Sequence, residues 1–134
     1  MIKGLYGLNI AVNNFAEAVD HFEKVLNIKP VFYKDEEFAF PNLVGAKFFL
    51  NDICITILGS KTNDTSVAKF LENRGEGVFL VSLSVDDIET DVNEMKQKGL
   101  RFVTEIIQVE NGKVSFVHPK SMHGVQLELF QLEK

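Results

Sequence analysis

The amino-acid sequence predicts an α+β fold: two tandem modules of strand, helix and three strands, with curved mixed sheets around a shared cleft. Three observations predict it. First, the chain repeats itself at an offset of about 73 residues. Leu5 falls on Val78, Leu8 on Val81, Ile10 on Leu83 and Val12 on Val85, and Cys54-Ile55-Thr56-Ile57 falls on Gln126-Leu127-Glu128-Leu129. Second, each half opens on an alternating strand followed by a helix cap and an amphipathic helix. Third, a polar stretch from Gly59 to Ser66 separates the halves. Each half alone would leave one sheet face bare, whereas two halves cover their helix-facing residues and turn the other faces toward one cleft.

The elements follow in order. Leu8, Ile10 and Val12 alternate with Gly7, Asn9 and Ala11, which predicts a strand over Leu5 to Val12. Asn13 and Asn14 offer a cap, and Phe15, Val19, Phe22 and Leu26 form the apolar face of a helix. Val31 to Tyr33 has strand character, and Lys34 to Glu37 reads as a loop or an exposed strand edge. Ala46 to Leu50 and Ile53 to Leu58 are strands joined by a tight turn at Asn51-Asp52. After the linker, a short helix over Val67 to Asn73 ends before Gly75 and Gly77. Val78 to Val85 is the second opening strand. Asp86-Asp87 caps a helix whose stripe is Ile88, Val92 and Met95 and which stops at Gly99. Arg101 to Ile107, Lys113 to Val117 and Val125 to Phe130 are the remaining strands. The result is a single domain over 1–134: module one about 1–60, linker and short helix about 60–77, module two about 78–134.

Composition bounds the function. A chain of 134 residues with twelve phenylalanines and no tryptophan is long enough to fill one real core. A net charge of −5 without any basic run argues against nucleic acid or an anionic membrane as partner. No apolar run is long enough to span a bilayer, and no signal peptide is visible at Met1-Ile2-Lys3. The single cysteine, Cys54, excludes an internal disulfide and a multi-thiolate metal site, and with the missing signal peptide it points to the cytoplasm.

Three segments carry a family resemblance. VAKFLENRGEG (Val67 to Gly77), VDDIE (Val85 to Glu89) and KVSFVHPKSMHGVQLEL (Lys113 to Leu129) resemble the vicinal-oxygen-chelate (glyoxalase-like) superfamily in its methylmalonyl-CoA epimerase-like branch. The first strand and helix match more loosely, and the resemblance runs in order along nearly the whole chain. It implies two βαβββ modules, a homodimer and a small-molecule ligand. It also implies one divalent metal on the concave face, held in a His, Gln or Glu, His, Glu pattern. Such a metal stabilises an enolate-like intermediate while carboxylates move the proton alpha to a carbonyl.

Carried over residue by residue, the four ligand positions are Gly7, Thr56, Leu80 and Glu128. All four lie opposite the Ile/Val/Leu face of their strands. Only Glu128 retains a strong donor; glycine and leucine cannot bind a metal and a threonine hydroxyl is weak. The expectation is therefore no metal and no other cofactor. A further family carboxylate, placed before the third strand, aligns with Pro41-Asn42-Leu43, which has no acid.

Glu128 is the candidate catalytic residue, because a carboxyl in an apolar cleft beside Leu80 suits general acid or base work; a relic exposed to solvent is the plain alternative. Asn9, Thr56, Leu80, Ser82 and Gln126 are candidate ligand contacts, and Cys54 and Ser84 share their cleft-facing parity; a hydrated polar sheet face is the alternative for the polar ones. His123 lies in the turn before the last strand, either reaching the cleft mouth or simply exposed. His21 reads as a surface residue and His118 as a turn residue. Lys120 and Ser121 either meet an anionic ligand tail or sit in an exposed loop. The functions in contention are a metal-free binding protein for a small acyl or apolar ligand, including the ligand-sequestering, resistance type; an epimerase, isomerase or lyase on an acyl-CoA or small keto acid; and an interaction module.

Overall fold

The computed structural model describes residues 1–133. The elements are β1 (Ile2–Ala11), α1 (Phe15–Leu26), β2 (Val31–Phe32), β3 (Leu43–Leu50), β4 (Ile53–Ser60), α2 (Ser66–Arg74), β5 (Gly77–Val85), α3 (Ile88–Gln97), β6 (Ile107–Val109), β7 (Gly112–Val117) and β8 (Gln126–Leu132), with short 3-10 turns at Asp35–Glu37 and Pro119–Ser121. The strands form one continuous curled sheet in the order β2-β3-β4-β1-β5-β8-β7-β6. Its two halves mirror the chain repeat. β1 pairs parallel with β4 and β5 parallel with β8, and the modules join where β1 meets β5 antiparallel.

Local chemistry sets the helix ends. The Asn14 side chain accepts from the Glu17 N–H and opens α1; the Asp87 side chain accepts from the Thr90 N–H and opens α3. The Thr65 hydroxyl caps α2, which stops at Gly75, whose positive φ of 80° a side chain would resist. The apolar stripes then pack on one sheet face. Val19, Phe22 and Leu26 of α1 cover Phe48 and Ile57; Ile88, Val92 and Met95 of α3 cover Leu83 and Leu129. Each fully buried side chain of this kind contributes about 1.5–3 kcal/mol. With both helices on one face, the opposite face is left to form the cleft.

Two segments differ from expectation. The segment from Arg101 to Ile107 does not form a strand. Phe102 makes one isolated bridge to Val117, and the ladder forms only at β6, Ile107–Val109. The Thr104 hydroxyl bonds the Glu105 carbonyl, a local contact that competes with pairing. Lys34 to Glu37 is neither open loop nor strand edge: Asp35–Glu37 winds into a 3-10 turn. No helix among the described residues is long and apolar enough to cross a membrane.

Candidate functional site

Two rows of residues cross the floor of the cleft, and strand register creates both. In one, β3 places Lys47 opposite Thr56, β4 places Thr56 opposite Asn9, β1 places Asn9 opposite Leu80, and β5 places Leu80 opposite Gln126. In the other, Cys54 lies opposite Gly7, Gly7 opposite Ser82, Ser82 opposite Glu128 and Glu128 opposite Phe116. The cleft encloses about 80 Å³, room for several waters or the small head of a larger ligand. Its walls are apolar: Phe40, Val67, Phe79, Val114, Phe116 and Phe130.

Glu128 is partly buried on this floor. The Ser82 hydroxyl, itself fully buried, donates to its Oε1 at 2.6 Å. Burial pushes the carboxyl up from its ordinary 4.5 to about 7, against the opposing pull of the Ser82 hydrogen bond and the charge of Lys47. Nearby, burial also raises the Tyr6 hydroxyl to about 12. Burial raises the Cys54 thiol too, although a Thr56 contact works the other way. Cys54 is therefore no ready nucleophile.

The second polar group is an ion pair. Lys47 is 7% exposed, and its ammonium meets Glu37 Oε2 at 2.9 Å. It also lies 4.4 Å from the centre of the Tyr33 ring, a cation–π contact. Tyr33 stacks on Phe38 and its hydroxyl lies 3.3 Å from Thr56 Oγ1. Glu37 also accepts from the Lys34 N–H and from the Asn111 amide, which reaches across from the β6–β7 turn of module two. Burial alone would raise the Glu37 carboxyl, but these three donors outweigh it and hold it below its ordinary value. The modules meet again where the Glu110 N–H bonds the Glu36 carbonyl. Both modules therefore hold the Glu37 side of the ion pair.

Of the sequence candidates, Asn9, Leu80, Gln126 and Glu128 line the cleft together. Ser82 and Thr56 are each 1% exposed and lie beneath that lining, as partners of Glu128 and Tyr33. His123 stays outside it: an exposed turn residue in the left-handed region, with φ of 57°. His21 is exposed on α1. His118 caps its own turn by accepting from the Lys120 N–H, Ser121 accepts from the Arg101 N–H, and Lys120 is exposed.

Sequence reasoning missed Tyr6, Tyr33, Glu37, Lys47 and Asn111. Alternation puts Tyr6 with Leu8 and Ile10 on the helix side. A bulge between Leu5 and Gly7 turns it into the cleft instead, where its ring meets Phe130 edge-on at 4.8 Å. Lys47 was findable, since it shares parity with the cleft-facing side of β3. Glu37 was hidden in a charged run that reads as solvated surface. It is also a carboxylate placed before β3, where the Pro41-Asn42-Leu43 alignment offered none.

The four positions aligned with the superfamily's ligands do not suit a divalent ion. A Cβ built on Gly7 would overlap the Cys54 carbonyl oxygen, so β4 closes that position to any side chain. Leu80 offers no donor, Thr56 is engaged with Tyr33, and Glu128 is engaged with Ser82. Among the described residues, no three His, Cys, Asp or Glu side chains gather closely enough to hold a metal ion.

The family model of the Glyoxalase/Bleomycin resistance protein/Dioxygenase superfamily matches residues 5–129. The mitochondrial methylmalonyl-CoA epimerase of Homo sapiens is 30% identical over 132 residues, covering 90% of this chain and 73% of that protein. Among solved structures, methylmalonyl-CoA epimerase from Mycobacterium tuberculosis superposes with a TM-score of 0.88 at 23% identity, covering 99% of this chain and 90% of the other. A variant of the Streptomyces coelicolor methylmalonyl-CoA epimerase, in complex with 2-nitronate-propionyl-CoA, superposes with a TM-score of 0.91 at 22% identity over the full length of both chains.

Proposed function

The chain belongs to the Glyoxalase/Bleomycin resistance protein/Dioxygenase superfamily, in its methylmalonyl-CoA epimerase-like branch, and from that membership we propose that it binds a small acyl ligand in the cleft, without a divalent metal, and moves a proton at the carbon beside the ligand's carbonyl. The observation that carries this reading is the Glu128 carboxyl. It sits in an apolar cleft, is oriented by Ser82 and is poised at about 7. A group that exchanges its proton near neutral pH both takes and returns one efficiently.

The step balances without an oxidant. The C–H bond breaks, its proton goes to the Glu128 carboxylate, and the electron pair moves onto the carbonyl oxygen as an enolate. Return of the proton from Glu128 to the face it left restores the acyl group unchanged, and protonation of the opposite face by a second donor inverts it. This is isomerase or epimerase chemistry; a lyase of the superfamily would begin with the same proton removal. The walls at Phe116 and Phe130 exclude water from the enolate.

Acyl-CoA is the substrate class to test first, since structural neighbours act on or hold such ligands. A second hollow of about 260 Å³ shares Phe40, Leu43, Ser66 and Gln126 with the cleft and offers a ligand tail a way out. The test is deuterium incorporation into methylmalonyl-CoA in heavy water, with and without a chelator, for the parent protein and Glu128→Gln. The expected result is exchange that survives the chelator and disappears in the variant. No exchange by the parent, with any divalent ion added, sinks the catalytic reading.

The second reading, a protein that sequesters an apolar ligand, is favoured by Leu80 and the phenylalanine walls. It predicts tight binding with no chemical change. We further propose a cytoplasmic homodimer. The free, buried Cys54 suits a reducing compartment, and exposed Val31 and Phe32 on the edge strand β2 offer a surface for self-association.

A further inference from the structure

Among the described residues, Lys47 is the only cationic side chain lining the cleft. Its placement is costly. An ammonium loses its hydration on burial, and a paired buried charge is often no more stable than an apolar residue of similar size. Stability alone therefore does not account for a lysine on the floor of a cleft whose walls are phenylalanine and valine.

The geometry says what the ammonium is free to do. It has three N–H donors. One hydrogen bond, to Glu37, and the contact with the Tyr33 ring are its described protein interactions. At least one donor is left for the cleft. Lys47 stands directly across the strand pair from Thr56, in the row that continues through Asn9 and Leu80. That places a positive charge beside Thr56, one of the positions that carries no strong metal donor.

We propose that Lys47 is the cleft's anion-binding residue: its ammonium binds the carboxylate or developing enolate oxygen of a small acyl ligand, the electrostatic task a divalent ion performs elsewhere in the superfamily. Glu37 is then its counter-ion in the empty cleft and gives up part of the ammonium to the ligand. Asn111 holds Glu37 while this happens. The ligand class that follows is a short carboxylic acid or thioester with an acidic α-carbon, rather than a neutral apolar molecule. The enolate half of this inference rests on the proton-transfer reading above; the carboxylate half does not.

The test separates the two. Binding of malonate and of neutral malonamide is measured by calorimetry for the parent, Lys47→Met, Lys47→Arg and Glu37→Gln, each checked for folding by circular dichroism. Malonate binding needs no turnover, so its outcome is independent of the exchange assay. Expected are a loss of malonate affinity of roughly tenfold or more in Lys47→Met, partial retention in Lys47→Arg, unchanged malonamide binding, and tighter malonate binding in Glu37→Gln, which frees the ammonium. A merely structural ion pair would weaken both probes in both variants alike. Should Lys47→Met fail to fold, the Lys47→Met/Glu37→Gln double variant removes the orphaned carboxylate and carries the same expectation. Malonate binding that Lys47→Met leaves intact, that Glu37→Gln weakens, or that the parent protein lacks overturns the proposal. Where the parent exchanges deuterium, Lys47→Met is expected to slow it about 100-fold.

Discussion

Ser82 donates a 2.6 Å hydrogen bond to Glu128 directly across the β5–β8 pairing, and the equivalent positions in module one are held by Asn9 and Thr56. The duplicated frame is the same in both halves; the chemistry is not. Module two presents a carboxyl with its own donor, while module one presents a hydroxyl covered by Tyr33.

This relationship predicts a pH dependence. The folded protein keeps the Glu128 proton up to about 7, whereas the unfolded chain releases it near 4.5. Between those values the unfolded state binds fewer protons, so this group makes the fold less stable as pH rises. Glu128→Gln removes that loss. Relative to the parent, the variant should gain stability between pH 4.5 and 8, by up to about 3 kcal/mol, read from denaturant midpoints at the two pH values. Ser82→Ala removes a bond that favours the charged form, so the carboxyl should titrate higher still, measured by carbon NMR of labelled glutamate. A downward shift would show that Ser82 does not donate to Glu128.

Gly7 predicts a steric effect. A methyl group there would overlap the Cys54 carbonyl, and the strand pairing on both sides of β1 leaves little room to relax. Gly7→Ala should cost about 2–4 kcal/mol, measured by chemical denaturation. A cost below about 1 kcal/mol would mean that β1 and β4 separate readily and that a side chain at this position is tolerated.

The donor set predicts indifference to metal. Zn²⁺, Mn²⁺ or Co²⁺ should leave the thermal midpoint of the parent unchanged relative to Glu128→Gln. A site occupied at one hundred times its Kd would add about 2.7 kcal/mol of stability, a shift in Tm that a scan resolves easily. A metal-dependent rise abolished by Glu128→Gln would restore a metal to this cleft.

Much of the fold was legible because it depends on local periodicity. The stripes of α1 and α3, the caps Asn14 and Asp87 and the alternation in β1 and β5 each lie within one short segment. The repeat aligned Gly7 with Leu80 and Thr56 with Glu128, and the pairings Gly7 with Cys54 and Leu80 with Gln126 keep that register in space. The segment from Arg101 to Ile107 failed because alternation cannot report whether a partner strand is within reach.

The sequence by itself determined the two-module architecture, the helix-facing side of the strands where they alternate without a bulge, and the poverty of donors at Gly7, Thr56 and Leu80, because each is a property of residue type and spacing. Only the tertiary structure decided which charges enter the cleft. Glu37 belongs to an acidic run that looks solvated. It is turned inward by a 3-10 turn and held by Lys34, Lys47 and Asn111, the last 74 residues away along the chain. Burial and charge pairing depend on what lies across the sheet, and that is set when the modules close on each other.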